Sequence, residues 1–442
     1  MIILLLILSV LAIILLTNNL KMHPFLALFL VALGFALLAG MPFDLIISSI
    51  NDGFGGTLGK IGLIIIFGVI IGAFLENTGG AYALAARVLK VVGRKRVAPA
   101  MGILGYFVSI PVFADSGFIL LSPLNKSLSK KAGISITGSA VALAMGLMAS
   151  HTMVPPTPGP IAAAGILEAN LGQVILVGIP VSIIALVVGI LYSTLYVSKT
   201  YIDPNPDITE QEVIEKIKAA PSAFRASLPV VLPILLIVVA AILPQITERT
   251  FWPRDFILFL GQPIIALLIG VLLACTLPKN FNKEMLSTEG WVGKALRDCA
   301  SILLITGAGG IFGKVLQNSG IADLLGEVLA NSNLSIWLPF ILAAAIKTAQ
   351  GSSTVALITA ASIIAPMMEN LGFDSSLQKA MVVISIGAGS AVVSHANDSF
   401  FWVMTQMSGL SAKQGYRLYT LGSLLVGSSA GLVVFLLYLF LT

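Results

Sequence analysis

Stretches of about twenty predominantly apolar residues, the length a helix needs to cross a hydrocarbon core, recur along this chain. They fall at 2–17, 24–40, 61–78, 134–167, 172–197, 226–245, 256–277, 298–317, 378–408 and 418–441. A water-soluble core cannot absorb so many, and a 442-residue chain with 57% hydrophobic and 10% charged residues has little polar surface to offer water. An all-α polytopic membrane protein is predicted. No basic residue precedes Ile2 and no small-residue cleavage site stands ahead of Asn18, so the first window is expected to stay as a helix. The only cysteines, Cys275 and Cys299, are expected near cytoplasmic helix ends, with neither a disulfide framework nor a metal site.

The net charge of +5 is topological information, because it sits in short loops. Arg87, Lys90 and Arg94 to Arg96, then Lys126, Lys130 and Lys131, then Lys216, Lys218 and Arg225, then Lys294 and Arg297, then Lys413 and Arg417 occupy alternate loops. Those loops are predicted to be cytoplasmic, with both termini outside a bacterial-type inner membrane and no nucleic-acid partner. The intervening loops carry Asp44, Asp52, Glu168, Asp323, Glu327, Glu369 and Asp374.

Two apolar segments break this alternation. Residues 97–124 have basic flanks at both ends and Asp115-Ser116-Gly117 at their middle, which predicts a re-entrant hairpin from the cytoplasm. Residues 334–368 have neutral or acidic flanks and Gln350-Gly351-Ser352-Ser353-Thr354 at their centre, which predicts a hairpin from outside. Irregular backbone is tolerated at membrane depth only where protein or a water-filled cavity satisfies it. Two polar tips would build such a cavity.

The halves are related. Leu75-Glu76-Asn77-Thr78-Gly79-Gly80-Ala81 resembles Leu316-Gln317-Asn318-Ser319-Gly320-Ile321-Ala322, and Ala149-Ser150-His151-Thr152 resembles Val393-Ser394-His395-Ala396, at nearly equal offsets of about half a chain. About five spans and one hairpin per half make the second half an inverted copy. The expected boundaries are 1–197 (hairpin 97–124, broken helix 134–167), a cytoplasmic linker 198–225 with a short amphipathic helix, and 226–442 (hairpin 334–368, broken helix 378–408). Inverted repeats with broken helices point to a secondary transporter's binding site.

Asp115 at a membrane-embedded tip is either a proton-exchanging or hydroxyl-binding carboxylate or a cap on the second hairpin arm. His151 and His395 ordinarily titrate near physiological pH, so each either relays a proton or binds a carboxylate, or else bridges two broken helices. Asp398 is a proton carrier or a helix cap. Ser352, Ser353 and Thr354 present hydroxyls and amides at the start of a half-helix, the end that favours an anion, although small residues also serve helix packing. Ser116, Gly117, Ser150, Thr152, Gln350, Gly351 and Asn397 are further substrate-binding candidates. Lys347 is either a counter-charge for a substrate anion or a structural partner for an acid such as Glu76.

Ser150 to Pro160, Ser394 to Asp398 followed by Phe401-Trp402, and Gly351 to Ala356 resemble the gluconate permease family of the ion transporter superfamily. The resemblance covers essentially the whole chain. It implies uptake of gluconate or a related small hydroxylated monocarboxylate by proton symport, without a cofactor, through a scaffold and a moving transport domain in a homodimer. The first tip reads Asp115-Ser116-Gly117 where gluconate carriers of the family have Glu-Val-Gly, and Thr348-Ala349-Gln350 replaces a more apolar sequence. A sodium-coupled organic-anion carrier is the nearest alternative, because hairpin Ser and Thr oxygens suit the ion. A membrane-embedded hydrolase is the alternative of another class; no G-x-S-x-G elbow is expected, and the repeat accounts for the Ser-His pairs. No phosphate-binding loop for an ATP motor is present.

Overall fold

A computed structural model describes residues 2–93, 96–205, 210–246, 252–320 and 335–441, which leaves Arg94, Lys95, Asp323 and Glu327 outside the described residues. Regular structure among the described residues is helical throughout. The first half contains α1 (Ile2–Asn18), α2 (Pro24–Leu38), α3 (Phe43–Asn77), α4 (Gly80–Val92), α5 (Val97–Ser109), α6 (Ala114–Ala132), α7 (Ile136–Met153), α8 (Pro158–Ile166) and α9 (Leu171–Leu195). The linker carries α10 (Glu210–Ala219). The second half contains α11 (Ala223–Ile246), α12 (Trp252–Leu260), α13 (Pro263–Ala274), α14 (Trp291–Asn318), α15 (Trp337–Gln350), α16 (Ser353–Ile364), α17 (Ser376–Ser390) and α18 (Ser399–Met407). A final helix, α19 (Ala412–Leu441), includes a π turn at Tyr416–Thr420.

Helix starts follow local chemistry. Ser135 accepts from Thr137 N ahead of α7, Asn170 from Gln173 N ahead of α9, and Ser375 with Gln378 forms a reciprocal capping box on α17. Pro158 and Pro263 open α8 and α13, where a missing N–H costs nothing. α3 and α14 each end on a glycine at φ +73°, Gly79 and Gly320, inside the two matching sequence motifs.

Burial sorts the helices. The span from Ile136 to Ile166 is 94% buried, whereas the α11 and α19 spans are 28% buried and present their leucines outward. Lipid tails are as apolar as leucine, so close approach between helices depends on small residues. Gly53 of α3 lies against the backbone of Gly310 of α14, and Gly307 lies under the Phe54 ring. Gly146 of α7 touches the Gly102 carbonyl of α5, and Gly389 of α17 touches the Phe340 carbonyl of α15. The first arm of each consecutive helix pair thus packs backbone to backbone on the broken helix of its own half.

Three expectations shift. The window 256–277 is not one straight span: α12 and α13 meet at 68° across Gly261-Gln262. The window 61–78 is only the apolar end of a 35-residue helix, whose earlier turns carry Ser49, Asn51, Asp52, Gly53 and Thr57. Cys299 lies buried within α14 and not at a helix end; both cysteines are free thiols.

Candidate substrate site between two helix breaks

Four interruptions of helical backbone position the site. The first tip, joining α5 to α6, falls at the apolar Ile110 to Phe113 and not at the expected Asp115-Ser116-Gly117, which already lie in the first turn of α6; the first break, 154–157, joins α7 to α8. The second tip, Gly351-Ser352, joins α15 to α16; the second break, 391–398, joins α17 to α18. Between them is a cavity of about 260 Å³, much more than the roughly 10–15 Å³ that one water needs.

Three helix N-termini border it: Ala114 and Asp115 of α6, Ser352 to Thr354 at α16, and Asp398 to Phe400 at α18. Ser352 caps α16 by accepting from Val355 N at 3.3 Å, and Gln350 Oε1 accepts from Ser352 N at 3.2 Å. The Ser353 and Thr354 amides, in the first turn of α16, have no intrahelical partner and point the positive end of a helix dipole at the cavity. Met148, His151 and Thr152 of α7 also line it.

The two acids on the cavity are held differently. Asp398 caps α18 through Phe400 N at 3.1 Å and pairs with Lys347 Nζ at 2.6 Å, both side chains being buried. Lys347 also donates to the Gly351 carbonyl, and the Ser394 hydroxyl donates to Asp398. Asp115 is not the cap of its helix; that position belongs to Phe113, with no side-chain bond. Beyond its own amide, Asp115 meets the Ser399 hydroxyl at 3.4 Å, a long contact that leaves acceptor positions toward the cavity.

The histidines also part company. His151 lines the cavity, and its Nδ1 is buried without a hydrogen-bond partner among the described residues. His395 does not line it: its Nε2 donates to the Thr348 carbonyl at 2.8 Å and its ring stacks near Tyr416. Asn397 reaches the same carbonyl through Nδ2 at 2.9 Å, with its Oδ1 buried and unpartnered.

Of the sequence candidates, the cavity brings together Asp115, His151, Thr152, Gln350, Gly351, Ser352, Ser353, Thr354, Asn397 and Asp398. Ser116, Gly117 and Ser150 stay outside it. Gly117 packs on Leu147, and the Ser150 hydroxyl turns back to the Gly146 and Leu147 carbonyls of its own helix. Ser399, Phe400, Ala114 and Met148 were not singled out from the sequence; Ser399 follows the Asn397-Asp398 pair directly, and that adjacency was the available signal. Gly427-Ser428-Ser429-Ala430-Gly431 does spell G-x-S-x-G, contrary to expectation. It lies in the middle of α19, with the Ser429 hydroxyl on the Val426 carbonyl, and not on the strand-to-helix turn that exposes a nucleophile. Among the described residues no group of His, Cys, Asp and Glu is arranged to hold a metal ion.

A polar chamber where broken helices meet inside an apolar helical protein is the arrangement by which membrane carriers hold a solute. The family model described as GntP family permease matches residues 1–440. The chain is 36% identical to an uncharacterized permease of Haemophilus influenzae over 92% of this chain and 86% of that one. It is 32% identical to a gluconate permease of Pseudomonas aeruginosa, covering 97% and 95%, and 33% identical to a high-affinity gluconate transporter of Escherichia coli, covering 96% of each. Its fold is similar to the crystal structure of the Alcanivorax borkumensis YdaH transporter, with a TM-score of 0.60 at 15% identity over 89% of this chain and 88% of that one. The chain belongs to the GntP family of permeases. It is an integral membrane transport protein and not an enzyme.

Proposed function

We propose that this protein is a secondary carrier that imports gluconate or a closely related small hydroxylated monocarboxylate together with protons. The observation that carries this reading is the pairing, in one chamber, of the outward-pointing amides of α16 with side chains suited to a polyol. The Ser353 and Thr354 amides suit a carboxylate. Asn397 Oδ1, Gln350 and Asp115 supply acceptors and donors along the hydroxylated chain. The names of the similar permeases of P. aeruginosa and E. coli support the same substrate class.

In this reading Asp115 and His151 are the exchangeable proton site. The halves are inverted copies, as the matched Gly79 and Gly320 helix ends suggest. The segments around the two tips and two breaks move as a transport domain against a scaffold of peripheral helices within a homodimer.

Purified protein in proteoliposomes tests the proposal. Radiolabelled gluconate is offered under an imposed proton gradient or sodium gradient, with other aldonates, glycerate, hydroxybutyrate and D-serine as competitors. Accumulation driven by the proton gradient is expected. Accumulation driven by sodium alone overturns the coupling; competition by another acid without gluconate uptake replaces the substrate.

A further inference from the structure

The second tip and the second break are joined by more than proximity. Lys347, in the last turn of α15, is 1% exposed, and its ammonium is divided between Asp398 Oδ2 and the Gly351 carbonyl. A buried ion pair is retained only where further hydrogen bonds complete both groups, and here the Ser394 hydroxyl and the Phe400 amide complete the carboxylate. His395 and Asn397 add two bonds to the Thr348 carbonyl one residue along α15. Gly351, at φ +98°, lies so close to the Asn397 carbonyl that a Cβ has no room.

Three donors already converge on Asp398 and fill three of a carboxylate's roughly four acceptor positions, so it is the more committed of the two acids. Asp115 has no such set. The charged and titratable groups that face Asp115 from the surrounding elements are Asp398 in the second break, Lys347 of α15 and Tyr419 of α19, and His151 lines the same chamber. Lys347 and Asp398 offset one another, which leaves Asp115 and His151 as the pair open to exchange.

Resting on the carrier reading above, we propose that Lys347 is a positioning residue. Its ion pair with Asp398 rivets the second tip to the second break, so that Asp398 is a fixed strut and the travelling proton is held at Asp115 and His151. The rivet keeps the Ser353 and Thr354 amides aimed at the chamber whether or not substrate is present.

Lys347→Met and Asp398→Asn, each alone, strand one buried charge and are expected to raise the half-saturation concentration for gluconate roughly tenfold or more. The double variant removes both charges and is expected to recover most of that loss while keeping the wild-type pH profile of accumulation. Counterflow exchange without proton-driven accumulation in both Asp398→Asn and the double variant overturns the proposal, because Asp398 would then carry the proton. Should the variants fail to fold, the wild-type protein decides. A hydrophobic carbodiimide, which captures protonated carboxyl groups in apolar surroundings, is expected to modify Asp115 and not Asp398 in peptide mass spectra. Gluconate-protected modification of Asp398 overturns the rivet. Wild-type uptake in the same vesicles tests the carrier reading separately, since its absence sinks that reading and leaves the carbodiimide pattern to judge the rivet.

Discussion

The two breaks that border the cavity each carry a Ser-His pair, just ahead of the first break and within the second, and reach opposite states. The second is laced to its tip by Lys347–Asp398, His395–Thr348 and Asn397–Thr348. At the first, no side-chain hydrogen bond among the described residues joins the break to its tip. The Phe113 and His151 rings approach to 6.2 Å, and Gly68 and Gly72 of α3 lean on the Pro156 and Pro111 carbonyls. His395 uses its ring nitrogen to brace the backbone, whereas His151 keeps Nδ1 unspent. Polar residues at a break therefore do not by themselves mark the working groups. A group committed to backbone carbonyls holds geometry, and a group left with unfilled hydrogen-bonding capacity at a cavity is available for exchange.

The largest expected effect tests that distinction. Asp115→Asn should abolish proton-driven accumulation in proteoliposomes while leaving counterflow exchange; unaltered pH-dependent accumulation would remove Asp115 from coupling. Gly351→Ala comes next. It forces a side chain into a left-handed position against Asn397, is expected to destabilise by roughly 1–3 kcal/mol, and should weaken gluconate binding measured by scintillation proximity.

The histidine pair should then split. His395→Ala loses a bond to a buried carbonyl and is expected to lower stability by about 0.5–1.5 kcal/mol, read as a lower thermal midpoint in detergent. His151→Ala orphans no partner, so the midpoint should hold while uptake falls; equal losses of stability would erase the contrast between the breaks. The smallest effect lies outside the membrane spans. The Lys60 hydrogen bond at 2.5 Å holds the Glu168 carboxyl below its usual range, and the Asn205 amide followed by Lys130 does the same for Asp203. A lowered folded-state value contributes stability above the ordinary carboxylate range, and that contribution is lost as pH falls through the lowered value. Both pairs are exposed, so Asp203→Asn should flatten acid-induced loss of the thermal midpoint only slightly.

Much of this was legible from the sequence for a simple reason: the bilayer is a uniform solvent, so apolar length alone locates most helices. The polar second tip and second break stood out because lipid tolerates them only where protein satisfies them; the first tip was placed a few residues late because its turn is the apolar Ile110 to Phe113. What escaped depends on tertiary contact. The early turns of α3 look too polar to span, yet Ser49 and Gly53 are buried, and Asn318 of α14 donates to the Ser49 hydroxyl. The α12–α13 bend was announced by Gly261-Gln262-Pro263, since a residue before proline avoids helical backbone, but the apolar average over the window outweighed it. Lys347 could not be matched with Asp398 because they meet only when two separate helix ends converge.

The α3–α14 seam bears on how the chain is made. α3 enters the membrane early in synthesis, carrying a face of glycines and small polar side chains shaped for a helix that the ribosome delivers only after the linker. α8 awaits α16 and α9 awaits α19 in the same way. The earliest helices are thus among the last to be completed, and maturation waits on nearly the whole polypeptide. Without α14 the Gly53 face of α3 lacks the backbone that covers it in the folded chain.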